Sequence, residues 1–201
     1  MNVAGKMKIH QALTTLLLVG SLLLAPGLRA GESAYLSLSE FLALAFPGEP
    51  IKGDGVSPPI QRETLWLDAD LKAEAKKILG HSYAKLRVRY WRLNDRTAWV
   101  LDEIGKDRPI TMGVVVDNDQ IADLQVLVFR ESRGWEIRHD FFTRQFLGLS
   151  LRGQESDSYQ LSGDIDGITG ATLSVRAAKK VAKLALFFDQ QVATLISANA
   201  D

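Results

Sequence analysis

Asp164-Ile165-Asp166-Gly167-Ile168-Thr169-Gly170-Ala171-Thr172-Leu173-Ser174 leads straight into the longest helical pattern of the chain, roughly Ser174 to Ser197. Along that pattern Ala178, Val181, Ala182, Ala185, Phe188, Val192 and Leu195 recur on one stripe, the mark of a helix with one buried face. Arg176, Lys179, Lys180 and Lys183 fall on the outer side. No heptad is sustained, so the stripe belongs to a core rather than to a coiled coil. Asp166-Gly167 and Thr169-Gly170 are turn dipeptides before this helix. At the plainest the stretch is a turn and an N-cap. It also sets two hydroxyls near a helix start, where free N–H groups and the macrodipole favour a phosphate.

Working outward, strand signals dominate upstream. Lys85 to Trp91 alternates, with Leu86, Val88 and Tyr90 on one face and Lys85, Arg87 and Arg89 on the other. Read alone, Arg87 to Arg92 is a basic, aromatic patch of the RNA-binding kind, but the alternation describes a half-exposed strand. Asn94-Asp95 turns into a second strand, Thr97 to Ile104. A third runs from Ile110 to Val116, turns at Asp117-Asn118-Asp119, and returns as a fourth from Ile121 to Phe129. Both are apolar on each face, as central strands of a covered sheet are.

Helices frame these strands. Leu38 to Phe46 is a short helix, capped at Ser37 or Ser39 and stopped by Pro47-Gly48. Asp68 to Leu79 is another, with Asp68 as N-cap, Leu71, Ala75, Ile78 and Leu79 on one face, and Gly80 as the stop. Between them, residues 47 to 62 hold four of the six prolines and read as a surface loop. Phe141 to Leu147 predicts a short aromatic helix, and residues 150 to 165 a polar connection. The sum is an α+β fold: an antiparallel or mixed sheet of four or five strands flanked by helices, with a long C-terminal helix. Residues 31–99 supply N-terminal helical and first-strand elements, and 100–198 the core of the same globular unit.

Residues 1–30 read as a secretory signal peptide. Lys6 and Lys8 precede an apolar core from Ala12 to Leu24, and Leu28-Arg29-Ala30 offers a cleavage point. An uncleaved N-terminal anchor is the alternative. Both predict an exported, periplasmic or extracytoplasmic domain. Removing the leader's three basic residues, and no acidic one, leaves 21 basic against 24 acidic, a net charge of −3. That balance does not suit nucleic acid as a partner. The chain has no cysteine, which excludes disulfides, haem attached through Cys-x-x-Cys-His and thiolate-held iron–sulfur clusters. His81 and His139 stand alone, and neither Asp117–Asp119 nor Asp164–Gly167 has the glycine and distal glutamate of a calcium loop. No metal site is assigned.

The Asp164–Ser174 stretch resembles the FMN-binding domain family, known from membrane-associated flavin subunits of sodium-pumping NADH:quinone reductase and related electron-transport complexes. The family motif, Asp-x-x-(Ser/Thr)-Gly-Ala-(Ser/Thr), is matched at Asp166, Thr169, Gly170, Ala171 and Thr172. The resemblance spans roughly residues 100 to 195. It implies that Thr172 carries FMN as a phosphoester, transferred from FAD by a separate flavin transferase. Gly170 would allow close approach and Ala171 adds almost no bulk, while Asp166 would order the loop or meet the transferase's metal. Chemistry alone leaves Thr169 a rival acceptor; the family pattern selects Thr172.

Glu131-Ser132-Arg133-Gly134 resembles a Glu-Thr-x-Gly turn that approaches the flavin in this family, with serine for threonine. Trp135 either stacks on the isoalloxazine or belongs to the core. The resemblance implies an exported electron carrier with covalent FMN, exchanging electrons with a membrane reductase that holds haem or quinone. Two alternatives are a sensory or assembly module without turnover, and a small-acceptor flavin reductase. The reductase would need a proton donor, for which Glu131, His139 or a tyrosine are the candidates.

Overall fold

The computed structural model describes residues 33–52, 55–56, 58–153 and 158–198. The leader and the Gly53-Asp54 pair lie outside them. In chain order the elements are β1 (Ser33–Ala34), α1 (Leu38–Ala45), β2 (Ile51–Lys52), β3 (Gly55–Val56), β4 (Gln61–Trp66) and α2 (Ala69–Leu79). Then come β5 (Arg87–Leu93), β6 (Arg96–Ile104), β7 (Pro109–Asp117) and β8 (Gln120–Phe129). A 3₁₀ turn at Trp135–Arg138, α3 (Asp140–Thr143) and a second 3₁₀ turn at Arg144–Phe146 lead to β9 (Leu151–Arg152), β10 (Gln160–Leu161) and the closing α4 (Thr172–Ala198).

The main sheet has the order β1-β8-β7-β6-β5-β4 and is antiparallel throughout. The expectation of four or five strands is met by β4 to β8, with a two-residue strand, β1, added at one edge. Asn118 and Asp119 join β7 to β8 with φ of 51° and 60°, the left-handed pair that a two-residue hairpin turn requires. β7 shows why the sheet must be covered on both faces. Met112, Val114 and Val116 pack with α2 and α4, while Val115 packs with α1. A methyl group on Gly113 would sit 2.5 Å from the Phe41 ring, so α1 rests directly on this strand.

The helix signals act as expected. Ser37, rather than Ser39, caps α1 in a reciprocal box with Glu40. Asp68 Oδ1 accepts from the Leu71 N–H at 2.8 Å, and Gly80 ends α2 at φ 76°.

Four expectations need correction. The loop expected over 47–62 contains the β2–β3 ribbon and the start of β4, whose polar sequence buries only Leu65 and becomes a strand by pairing with β5. The first long strand spans 87–93 rather than 85–91, which leaves Leu86 outside it and 68 % exposed. The aromatic helix over 141–147 is one turn of α-helix and one of 3₁₀. Phe142 and Phe146 are buried there, and Phe141 is 62 % exposed.

α4 is buried over more than one stripe, because α2 and the β9–β10 ribbon pack beside it; Val175, Ala177, Leu184, Leu186 and Phe187 are also inside. Lys180 accordingly does not point outward but reaches the buried Glu103 at 3.0 Å, and Leu195 lies past the core at 51 % exposure. Among the described residues no helix is long and apolar enough to cross a membrane.

Candidate functional site

The loop before α4 is a turn closed by the Ala171 N–H, which donates to the Ile168 carbonyl at 2.9 Å. Gly170 occupies its third position at φ +84°, a conformation that disfavours any residue with a Cβ. The helical ladder opens with the Val175 N–H donating to the Ala171 carbonyl at 2.9 Å. The amides of Thr172, Leu173 and Ser174 therefore have no partner within the helix. Ala171 and Ser174 are buried and Thr172 is exposed. The threonine hydroxyl is thus presented to solvent by a backbone anchored on both sides.

A second turn packs against this one. Gly134 takes φ +87°, and a Cβ there would lie 2.4 Å from Ser174 Oγ and 3.5 Å from Ala171 Cα. This contact brings the Glu131–Gly134 turn, at the end of β8, against the start of α4. Together they form a cleft of about 590 Å³ lined by Lys106, Glu131, Ser132, Arg133 and Gly170 to Ser174. That volume lies in the range of small-molecule sites. The separate cleft at the far end of α4, around Asp189, is less than half as large at about 250 Å³.

The cleft is electropositive. Lys106 and Arg133 face it, and the helix start contributes its own partial charge. Glu131 is the one carboxylate among the lining residues, and it is already engaged. Its Oε1 accepts the backbone N–H groups of Lys106, Asp107 and Arg108 at 2.5, 2.7 and 2.8 Å. Burial pushes its carboxyl up, but these three donors and the Lys106 charge outweigh burial and hold it below the ordinary glutamate value. It stays ionised at neutral pH and is no proton donor. Glu131 instead clasps the β6–β7 turn over the cleft, and a Cβ on Gly105 would come 2.8 Å from its Oε1.

The other expected site residues lie around the cleft rather than in it. Thr169 is exposed and is not among the lining residues, so of the two threonines only Thr172 borders the cavity. Asp166 is exposed, and its backbone N–H donates to Gln145 Oε1 at 2.7 Å, which fixes the loop. Trp135 is 42 % exposed and so is not core. It sits edge-on to His139 at 5.4 Å, with the Arg138 guanidinium 4.9 Å over its ring.

Sequence reading missed Lys106, Leu173 and Ser174. Lys106 belongs to a tight turn far from the motif, and only the Glu131 clasp relates the two. Leu173 and Ser174 were legible only as helix residues. The donor set suits the phosphate end of a nucleotide: two cations, unpaired helix amides and an exposed hydroxyl on one cavity. Residues 105–186 match the family model described as FMN-binding domain. No curated protein and no solved structure matches the chain.

Proposed function

We propose, with residues 105–186 of this flavin-binding chain forming a domain of the FMN-binding family, that the protein is an exported electron-transfer flavoprotein holding FMN covalently on Thr172. The observation that carries this reading is that Thr172, and not Thr169, borders the cationic cleft at the start of α4. In the attachment step the Thr172 oxygen bonds to the phosphorus of the FMN half of FAD. The pyrophosphate linkage breaks, AMP leaves, and the hydroxyl proton passes to a base of the flavin transferase. Once attached, the phosphate is held by the helix-start amides together with Lys106 and Arg133. Gly134 keeps the Ser132–Arg133 turn in place against the helix.

Bound FMN accepts one or two electrons, which lets a carrier stand between a two-electron donor and a one-electron acceptor. The chain's own contribution is to orient the ring and to surround it with positive charge. Covalent retention suits a protein outside the cytoplasm, where no flavin pool replaces a cofactor lost by dissociation. A membrane reductase with haem or quinone is the proposed exchange partner. The engaged state of Glu131 speaks against a small-acceptor reductase that uses this residue as its acid.

The test is intact mass after co-expression with an exported flavin transferase. Wild type and Thr169→Val should gain the mass of FMN, and Thr172→Val should not. The opposite pattern moves the acceptor to Thr169. An unmodified wild type beside a second substrate that the same cells do flavinylate rules the reading out.

A further inference from the structure

Three cations on α4 share a face with Thr172 and have no counter-ion among the described residues. Arg176, Lys179 and Lys183 follow the threonine at the fourth, seventh and eleventh positions. At 100° per residue Lys179 and Lys183 lie within about 20° of its direction, and at 1.5 Å per residue about 10 and 16 Å along the axis. None of the three makes an ion pair among the described residues. Their neighbour Lys180 is already committed to Glu103.

Lys183 is half-buried and among the described residues donates only to the Tyr159 carbonyl, at 3.1 Å. Burial, then the charges of Lys180 and Lys179, push its ammonium below the ordinary lysine value. Lys179 and Lys183 also line a cleft of about 240 Å³ beside Gln160, Gly163 and Asp164, and the Asp164 carboxylate pairs with neither. Holding like charges together, one of them half out of water, is unfavourable unless something anionic meets them. It is the more unexpected on a chain whose charge without the leader is −3.

We propose that this face of α4 is the docking surface for an electron-transfer partner that presents an acidic patch. The inference rests on FMN being held at Thr172. Electron-transfer encounters are small, polar and steered by opposite charge, and this track starts at the residue proposed to bear the flavin. A flavin transferase must reach Thr172 itself and so meets the exposed loop before the helix; Lys179 and Lys183 stand two and three turns beyond it. The carboxylates of the redox partner would supply the counter-ions that these side chains lack among the described residues.

The experiment uses the FMN-loaded protein, reduced and mixed by stopped flow with three one-electron acceptors: ferricyanide as the anion, tris-phenanthroline cobalt(III) as the cation, and neutral benzoquinone. In Lys179→Glu/Lys183→Glu, oxidation by ferricyanide should slow about tenfold at low salt. Oxidation by the cobalt complex should speed up, benzoquinone should be unaffected, and the differences should vanish at high ionic strength. Arg176→Glu/Lys179→Glu leaves the half-buried lysine intact and should give the same signs. Equal rates with both ions in all proteins overturn the proposal. So does slower flavin attachment with unchanged acceptor rates, which would give the face to the transferase. A wild type that never carries FMN defeats the function proposed above, whereas a loaded wild type indifferent to acceptor charge defeats only this inference.

Discussion

Replacing Gly134 by alanine tests the contact that builds the cleft. Two costs act together at this position. The backbone sits at φ +87°, which costs a residue with a Cβ about 1–2 kcal/mol. The new methyl would lie 2.4 Å from Ser174 Oγ and 3.1 Å from Ser174 Cβ, an overlap of the kind that costs about 1–3 kcal/mol. The two add to about 2–5 kcal/mol. With a urea dependence of about 2 kcal/mol/M, the midpoint should fall by about 1–2.5 M.

Removing the oxygen with Ser174→Ala, in the Gly134→Ala background, relieves the closer contact but not the backbone strain. The double variant should regain about 1 kcal/mol or more relative to Gly134→Ala alone. The assay is equilibrium unfolding by circular dichroism for wild type, both singles and the double. A Gly134→Ala protein within about 0.5 kcal/mol of wild type, the range of an ordinary surface change, would refute the packing of the Glu131 turn on the helix start. Strictly additive single effects would refute the Ser174 contact in particular.

Two further outcomes follow from the buried and clasped carboxylates. Glu131→Gln weakens acceptance from three backbone N–H groups. For so exposed a clasp the loss at pH 7 should be about 1 kcal/mol. Because the folded carboxyl lies below its ordinary value, that contribution is present above the unfolded pKa. It fades as pH falls through the folded value, so wild type and variant should converge in unfolding titrations taken well below the ordinary glutamate range.

Asp189 behaves in the opposite sense. Burial, then the Asp119, Asp117 and Asp95 carboxylates, raise it to about 6 against the Thr97 hydroxyl that donates to it. Its ionisation costs stability as pH rises from about 4 through 6, and the cost is complete above that. Asp189→Asn should therefore be more stable than wild type at pH 8, by about 3 kcal/mol, and lose the advantage near pH 4. Thermal melts across that range check the slope, and a variant less stable at pH 8 would contradict the sign.

Much of the fold was legible because it rests on local rules. Asp68 and Gly80 bracket α2, Asn118-Asp119 folds the β7–β8 hairpin, and the double-faced apolarity of β7 and β8 announced a sheet covered on both sides. β4 escaped because edge pairing with β5, not its own pattern, makes it a strand. Phe141 was counted as packed with Phe142 and Phe146, yet adjacent helical residues point about 100° apart, so Phe142 joins Phe146 inside and Phe141 faces solvent. The threonine motif could be found by its spacing; its environment could not.

The sequence by itself determined an α+β chain, a long closing helix, and a hydroxyl-bearing turn at its start, since each depends on neighbours along the chain. Only the tertiary structure decided which threonine borders a cavity, because the cavity is made by three turns distant in sequence. It also showed that Glu131, which lines the cleft, clasps the β6–β7 turn and is held ionised rather than poised as a proton donor. A carboxylate's partners are set by what the folded backbone brings within reach of it, and no spacing along the chain encodes that.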